Sequence, residues 1–217
     1  MPRLFVAIDL PDEARAAIAA EQRRIMAKLD PRRRVTIVRT EHMHLTLVFI
    51  GDVDEARRAA IAEQMAHYID QPAFDLVFGG IGVFPPRGAP RVLWLGVSRG
   101  SDLAIDLQRR VSARLQAAGV EPERRPFNPH LTIARWRESR PADAGRIIEP
   151  AGGGTVATVR VTAVTLYESR LSSAGPTHMN LTHARLAGEP VAEHVASHES
   201  TKWITASRPD AARSSGR

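Results

Sequence analysis

Two short apolar runs in this chain carry the same polar pattern: His44-Leu45-Thr46-Leu47 and His130-Leu131-Thr132-Ile133. On a β-strand, side chains at i and i+2 share a face, so each histidine points the same way as its threonine. One such pattern arises often by chance. Two, in matched apolar surroundings, constrain the fold far more, because they predict two equivalent strands. If those strands face each other across a cleft, two imidazoles and two hydroxyls meet there. These are the parts for general acid–base chemistry on a phosphate.

The rest of the chain reads as a repeat around these runs. Leu4 to Leu10 predicts a strand, and Pro11-Asp12-Glu13 opens a helix with Ala14, Ala17, Ile18, Ile25 and Leu29 at helical spacing. Val35 to Val38 is a short strand, and His42 to Ile50 is the first motif strand, stopped by Gly51-Asp52. Asp54 caps a helix running to Ile69, and Ala73 to Phe78 is a strand closed by Gly79-Gly80. Val83 to Pro90 is a Pro/Gly loop, and Val92 to Val97 is a strand. A helix then runs from Ser101 to Ala118, ended by Gly119. His130 to Trp136 is the second motif strand, Pro141 to Gly154 a loop, Val156 to Ser169 an alternating strand and Met179 to Leu186 the last strand. A strand–helix unit precedes each motif, which predicts an internal duplication. The expected class is α+β: two pseudo-symmetric lobes, mostly antiparallel, with outer helices around a central cleft. Residues 1–187 read as a single bilobal domain. Residues 188–217 read as a flexible C-terminal tail with one weak helix near Ala192 to His198.

Composition narrows the chemistry. The chain has no cysteine, which excludes disulfides, thiolate nucleophiles and iron–sulfur sites and fits a cytoplasmic protein. The first apolar run is closed by Asp9, too early for a secretory leader, and no stretch has transmembrane length. The formal net charge is +6 over 217 residues. Beyond Gly188, Glu189, Glu193, Glu199 and Asp210 cancel Lys202, Arg208, Arg213 and Arg217, so the excess lies in the body. A basic body suits an anionic partner such as RNA.

Five stretches, taken in order, resemble one family. They are Arg3-Leu4-Phe5-Val6-Ala7-Ile8-Asp9-Leu10-Pro11, the first H-L-T-L, the run from Gly82 through Pro85-Pro86-Arg87 to Val97, the approach Arg125-Pro126-Phe127-Asn128-Pro129 into H-L-T-I-A-R, and L-Y-E-S-R-L at 166–171. Together they resemble the RNA 2′,3′-cyclic phosphodiesterases, also called 2′–5′ RNA ligases, of the two-histidine (2H) phosphoesterase superfamily. The resemblance covers about residues 3–187. It departs where Val35-Thr36-Ile37-Val38 stands in place of a frequent Trp, and where His42-Met43 stands in place of Asn-Leu. The resemblance implies a bilobal 2H fold with both motifs in one cleft. It also implies metal-independent hydrolysis of an RNA terminal 2′,3′-cyclic phosphate to a 2′-phosphate, with His44 as acid on O3′ and His130 as base for water. The residues alone allow the reverse assignment. Reversible 2′–5′ ligation is a second enzyme reading, with a 5′-hydroxyl in place of water.

The remaining site expectations follow from the residues. Thr46 and Thr132 donate O–H to non-bridging phosphate oxygens. Phe49 and Arg135 each stand five residues after their histidine. Strict alternation turns both away from the cleft; a bend in the strands would make them a pair that holds a base. Without the bend, Phe49 is core and Arg135 binds a surface carboxylate. Arg87 and Arg32-Arg33-Arg34 read as solvated loop arginines, the latter also within reach of RNA phosphates. His42 shares a face with His44, but the only nearby carboxylate, Glu41, lies on the other face. No metal and no cofactor are expected, and the His194/His198 pair falls in the weak tail. Two histidines starting from about pKa 6.5 are expected to be poised one charged and one neutral. The partners are RNA ends or nucleotides bearing a 2′,3′-cyclic phosphate, with no membrane and a monomeric chain. The competing classes are a small-nucleotide cyclic phosphate hydrolase and a non-catalytic RNA-binding module. The second would lack one of the four motif residues, and all four are present.

Overall fold

The computed structural model describes residues 2–29, 34–121, 123, 125–143, 145, 154–172, 175–187 and 203–204. In chain order the elements are β1 (Arg3–Ile8), α1 (Asp12–Met26), β2 (Val35–Ile37), a 3-10 turn (Thr40–His42), β3 (Leu45–Asp52), α2 (Glu55–Gln64), β4 (Ile69–Pro72), β5 (Phe74–Phe84), β6 (Val92–Arg99), α3 (Ser101–Ala117), β7 (His130–Trp136), β8 (Thr155–Val161), β9 (Ala163–Ser172), β10 (Gly175–Ala187) and β11 (Trp203–Ile204).

Two sheets result. The first runs β11-β10-β9-β1-β3, with β4 on β10; the second runs β2-β7-β6-β5-β8. All pairings are antiparallel except β4 with β10, so the α+β bilobal expectation holds. One motif strand lies in each sheet. Two helices cross between the sheets: α1 follows β1 of the first sheet but packs on β8 of the second, while α3 follows β6 of the second and packs on β3 and β4 of the first as well as on β5. The α1 face is Ala14, Ile18, Ala19, Gln22 and Ile25; that of α3 is Ala104, Leu107, Val111 and Leu115. Both repeat at three- and four-residue spacing, the stripe a helix needs to bury one side. Exchanged helices tie the lobes into one continuous apolar core from Leu4 to Leu186. Side chains such as Phe78, Ile18 and Leu93 are 0% exposed there, each worth about 1.5–3 kcal/mol of burial.

Polar groups brace the same junction. The α2 cap is as expected, with Asp54 Oδ1 accepting the Arg57 N–H at 2.7 Å. Glu168, 1% exposed, is held by Arg58 at 2.9 Å and Arg170 at 2.8 Å, joining α2 to β9. Gln22 reaches from α1 into the second sheet and donates to the carbonyls of Val38 at 2.8 Å and Ile133 at 2.7 Å.

Several boundaries differ from the sequence reading. The first motif strand starts at Leu45, because Thr40–His42 closes a 3-10 turn through the His42 N–H to Arg39 O and the Met43 N–H to Thr40 O. It runs on through Gly51, whose φ of +87° lets it stay paired with Leu4. β5 passes through Gly79-Gly80 to Phe84, because Ile81 to Phe84 remain paired with β6. The run from Val156 breaks at Thr162 into β8 and β9. α2 ends at Gln64, and β4 occupies the stretch the helix was expected to reach. Arg32, Arg33, the Ala192–His198 helix and the His194/His198 pair lie outside the described residues. So does the tail from 188 onward, except Trp203–Ile204, which pairs with His178 and Met179. No helix of the described residues is long and apolar enough to cross a membrane.

Gln22→Leu strips the buried donor from two carbonyls at the β2–β7 junction. The expected loss is about 1–3 kcal/mol, read as a lower urea midpoint at unchanged m-value. A midpoint equal to wild type would show that these bonds carry no net stability.

Candidate active site

The geometry of the cleft starts from two β-bulges. In the first sheet, Val6 pairs with Val48 and Ala7 with Thr46, leaving Leu47 without a partner. In the second, Leu93 pairs with Ala134 and Trp94 with Thr132, leaving Ile133 without one. Both extra residues follow the motif threonine directly. A bulge shifts side-chain alternation by one. Leu47 and Val48 are therefore buried in succession, as are Ile133 and Ala134. Phe49 and Arg135 then return to the face of Thr46 and Thr132. Strict alternation is broken at the same place in both strands, and both residues turn into the cleft.

A cavity of about 640 Å³ lies between the sheets. His44, Thr46 and Phe49 line it from one lobe and His130, Thr132 and Arg135 from the other. Phe49 is 62% exposed at the mouth, so it is not core. Among the described residues Arg135 has no ion-pair partner. Arg87 is exposed and does not line the cavity. Arg3, Phe5, Ile37, Arg39, His42 and His178 also line it. Two of these, Ile37 and His42, fall in the stretches where the sequence departs from the family pattern.

The two motif histidines are held alike. His130 Nδ1 lies 2.7 Å from the carbonyl of Asn128. A carbonyl only accepts, so Nδ1 carries the proton and the neutral ring keeps its lone pair on Nε2. His44 makes the same kind of bond to the carbonyl of His42, again two residues upstream. Aromatic rings fix the other sides. Phe5 stacks on His44 at 4.8 Å and on Tyr167 at 5.1 Å. The Tyr167 and Thr165 hydroxyls both donate to Asp9 at 2.6 Å. The chain Asp9–Tyr167–Phe5–His44 is thus a continuous buttress. On the other lobe Phe84 meets His130 edge-on at 5.0 Å, and Trp94 lies across Gly82, where a Cβ would fall inside the indole ring.

Burial sets the charge state. It pushes His44 down to about 4, helped by the nearby positive charge of His42, Arg15 and Arg135, while the carbonyl bond acts the other way. Burial also lowers His130, with Arg135 adding to the effect and the Asn128 bond opposing it. His178 falls to about 4 through burial and its neighbours His44 and His42. Burial likewise lowers His42. The cleft at neutral pH therefore holds neutral imidazoles and not the one-charged, one-neutral pair expected from solution values.

Sequence reasoning missed His178, Phe5 and the Asp9–Tyr167 support. His178 meets the rings of His42 at 4.9 Å and His44 at 5.7 Å, edge-on to both. Its Nδ1 and both nitrogens of His42 are buried without a hydrogen-bond partner among the described residues. Nothing in the run Thr177-His178-Met179 distinguishes this histidine; only the β9–β10 pairing brings it to the cleft. Among the described residues no group of three His, Asp or Glu is arranged to hold a metal ion.

Known proteins match the chain over most of its length. Residues 10–173 match the model of the 2′-5′ RNA ligase superfamily. An RNA 2′,3′-cyclic phosphodiesterase of Archaeoglobus fulgidus is 32% identical over 82% of this chain and 97% of its own length. One from Escherichia coli is 32% identical over 77% of this chain and 86% of its own. The crystal structure of E. coli LigT complexed with 3′-AMP superposes with a TM-score of 0.69 at 30% identity, covering 87% of this chain and all of that one.

His44 and His178 have folded pKa values near 4 and unfolded values near 6.5, so between those limits the unfolded chain binds more protons. Stability is expected to be full above about pH 6.5 and to fall as pH drops toward 4. Urea midpoints at pH 7, 5.5 and 4.5 measure this, and His178→Phe should flatten part of the fall. A constant midpoint over that window would mean these rings titrate normally.

Proposed function

The chain belongs to the 2′-5′ RNA ligase superfamily, and on that premise we propose that it is an RNA 2′,3′-cyclic phosphodiesterase working by two-histidine acid–base catalysis without a metal. The observation that carries the reading is the convergence of His44, Thr46, His130 and Thr132 on one cavity from two equivalently bulged strands. All four come from one chain, so a monomer suffices.

The proposed reaction runs as follows. The cyclic phosphate sits between the imidazoles, its non-bridging oxygens taking hydrogen bonds from the Thr46 and Thr132 hydroxyls. Water attacks phosphorus opposite O3′. His130 Nε2, whose lone pair is left free by the Nδ1 bond to Asn128, takes the water proton. The P–O3′ bond breaks and His44 delivers a proton to O3′, leaving the phosphate on O2′. His44 must first be charged, and the substrate anion supplies the reason: an opposite charge within a few ångströms favours the imidazolium and offsets the burial that suppresses it. An imidazolium in such a setting is also a strong acid. Ligation is the same step with a 5′-hydroxyl in place of water: its oxygen bonds to phosphorus as the P–O3′ bond breaks, leaving a 2′–5′ linkage and a 3′-hydroxyl; mass action favours water. Phe49 and Arg135, turned to the same face, hold the terminal base by stacking and charge.

His44→Ala and His130→Ala should each lower kcat on a 2′,3′-cyclic phosphate by at least about 10²-fold with little loss of stability. Phosphorus NMR of the wild-type product should find a 2′-phosphate, in EDTA as without it. Near-normal turnover in either variant would sink the mechanism, and a 3′-phosphate product would reverse the placement of the two histidines around the ring.

Phe49→Ala and Arg135→Ala should raise KM more than they lower kcat, since a base-holding contact is made equally in ground and transition states. Steady-state kinetics decide this. A fall in kcat at unchanged KM would instead make Arg135 a partner of the reacting phosphoryl group.

A further inference from the structure

Past Arg135 the cleft floor of the second sheet continues as an arginine stripe. Thr36 of β2 pairs with Arg135 of β7, and both line the cavity. The ladder does not stop there: the Arg137 N–H donates to the Arg34 carbonyl at 2.9 Å. Two residues along each strand, side chains return to the same face, so Arg34 and Arg137 stand on the cleft side beyond Arg135. Both are exposed. Among the described residues neither Arg135 nor Arg137 has an ion-pair partner. Arg34 has one, Glu138 at 3.9 Å, with side chains 74% and 78% exposed. Such a pair contributes little and gives way to a better anion.

We infer that this stripe binds the backbone phosphates of single-stranded RNA upstream of the terminal cyclic phosphate, so that the enzyme takes RNA oligomers in preference to mononucleotides. The inference rests on the cyclic phosphodiesterase reading and adds the path of the substrate. Three arguments carry it. The stripe adjoins the cavity through Arg135, which lines it and which the proposed function sets against the terminal base. Its Arg135-to-Arg137 spacing is about 7 Å along the strand, on the scale of one nucleotide step in an extended chain. Guanidinium groups without carboxylate partners keep their charge and forked donors for phosphate oxygens. A protein ligand of matching charge would need carboxylates at that spacing. RNA is favoured because its own end is already fixed in the adjoining cavity.

The test compares a nucleoside 2′,3′-cyclic monophosphate with an unstructured oligoribonucleotide ending in the same cyclic phosphate. The proteins are wild type and the double variant Arg34→Ala/Arg137→Ala. The wild-type KM should be lower for the oligomer and climb with salt. The double variant should raise the oligomer KM about tenfold and reduce the slope of log KM against log salt by about 1.4, roughly 0.7 for each lost phosphate contact, leaving mononucleotide kinetics unchanged. Arg34→Lys/Arg137→Lys, which keeps the charge, should retain most of the salt slope. An oligomer KM unchanged in the alanine variant, with mononucleotide turnover intact, overturns the stripe alone. Turnover of neither substrate by wild type overturns the cyclic phosphodiesterase reading, and the stripe with it.

Discussion

The cleft depends on one backbone device used twice: an extra residue in a motif strand, directly after the threonine. Leu47 and Ile133 are those residues, and each is buried beside its equally buried successor. A bulge leaves a residue outside the ladder and twists the strand more strongly. Here the lost pairing is compensated from the core side. The Ile133 carbonyl accepts both the Val38 N–H at 2.9 Å and the Gln22 amide at 2.7 Å. A helix of one repeat thus fixes the strand irregularity of the other. Without the bulges, Phe49 and Arg135 would face the core side, where a guanidinium would sit unsolvated.

The exchanged helices give the duplication its physical meaning. A β-strand pair with one helix cannot cover both its own apolar face and that helix. Two copies can, if each lends its helix to the other's sheet. Then the apolar faces form one core and the opposite faces are left to look at each other. The residues Phe5, Ala7 and Tyr167 make a second, smaller apolar cluster apart from the main core. Phe5 pairs with Phe49 and Ala7 with Thr46, so this cluster is the lining of the cleft wall. It stiffens the site without being part of what holds the lobes together.

Much of this was legible in the sequence because the signals are local. Pro11-Asp12-Glu13 before a three-and-four spacing specifies α1, and β7 occupies His130 to Trp136 as read. Within each motif the histidine and threonine reach the cavity together because i and i+2 share a strand face, which needs no tertiary knowledge; that the two pairs meet comes from the facing of the two sheets. The failures are non-local. Ile69 to Pro72 is a strand only because Leu186 and Ala187, far along the chain, offer it an edge. Gly79-Gly80 reads as a stop, yet the partner strand β6 carries β5 through it. The bulges leave no local mark, since Leu47-Val48 is an ordinary apolar pair on paper. The downward shift of the histidine pKa values is illegible for the same reason: burial of an imidazole is a property of the assembled lobes, not of H-x-T.

The desolvated histidines bear on how such a site stays selective. On the proposed function, neutral imidazoles leave little positive charge at the reacting centre, and the exposed arginines at the rim carry the attraction for an anion. An anion drawn in by the rim meets rings whose protonation its own charge promotes. On the proposed function, the acid is then assembled by the substrate, and a neutral ligand entering the same cavity finds none. His42 and His178 fit this economy of charge. Among the described residues their buried nitrogens have no hydrogen-bond partner, and burial disfavours a proton on either ring. Because both rings sit against His44, any proton placed there raises the cost of a second one on its neighbours. On the proposed function, the His42–His44–His178 cluster therefore disfavours more than one proton, while His130, across the cavity and with Nδ1 on the Asn128 carbonyl, serves as the neutral partner.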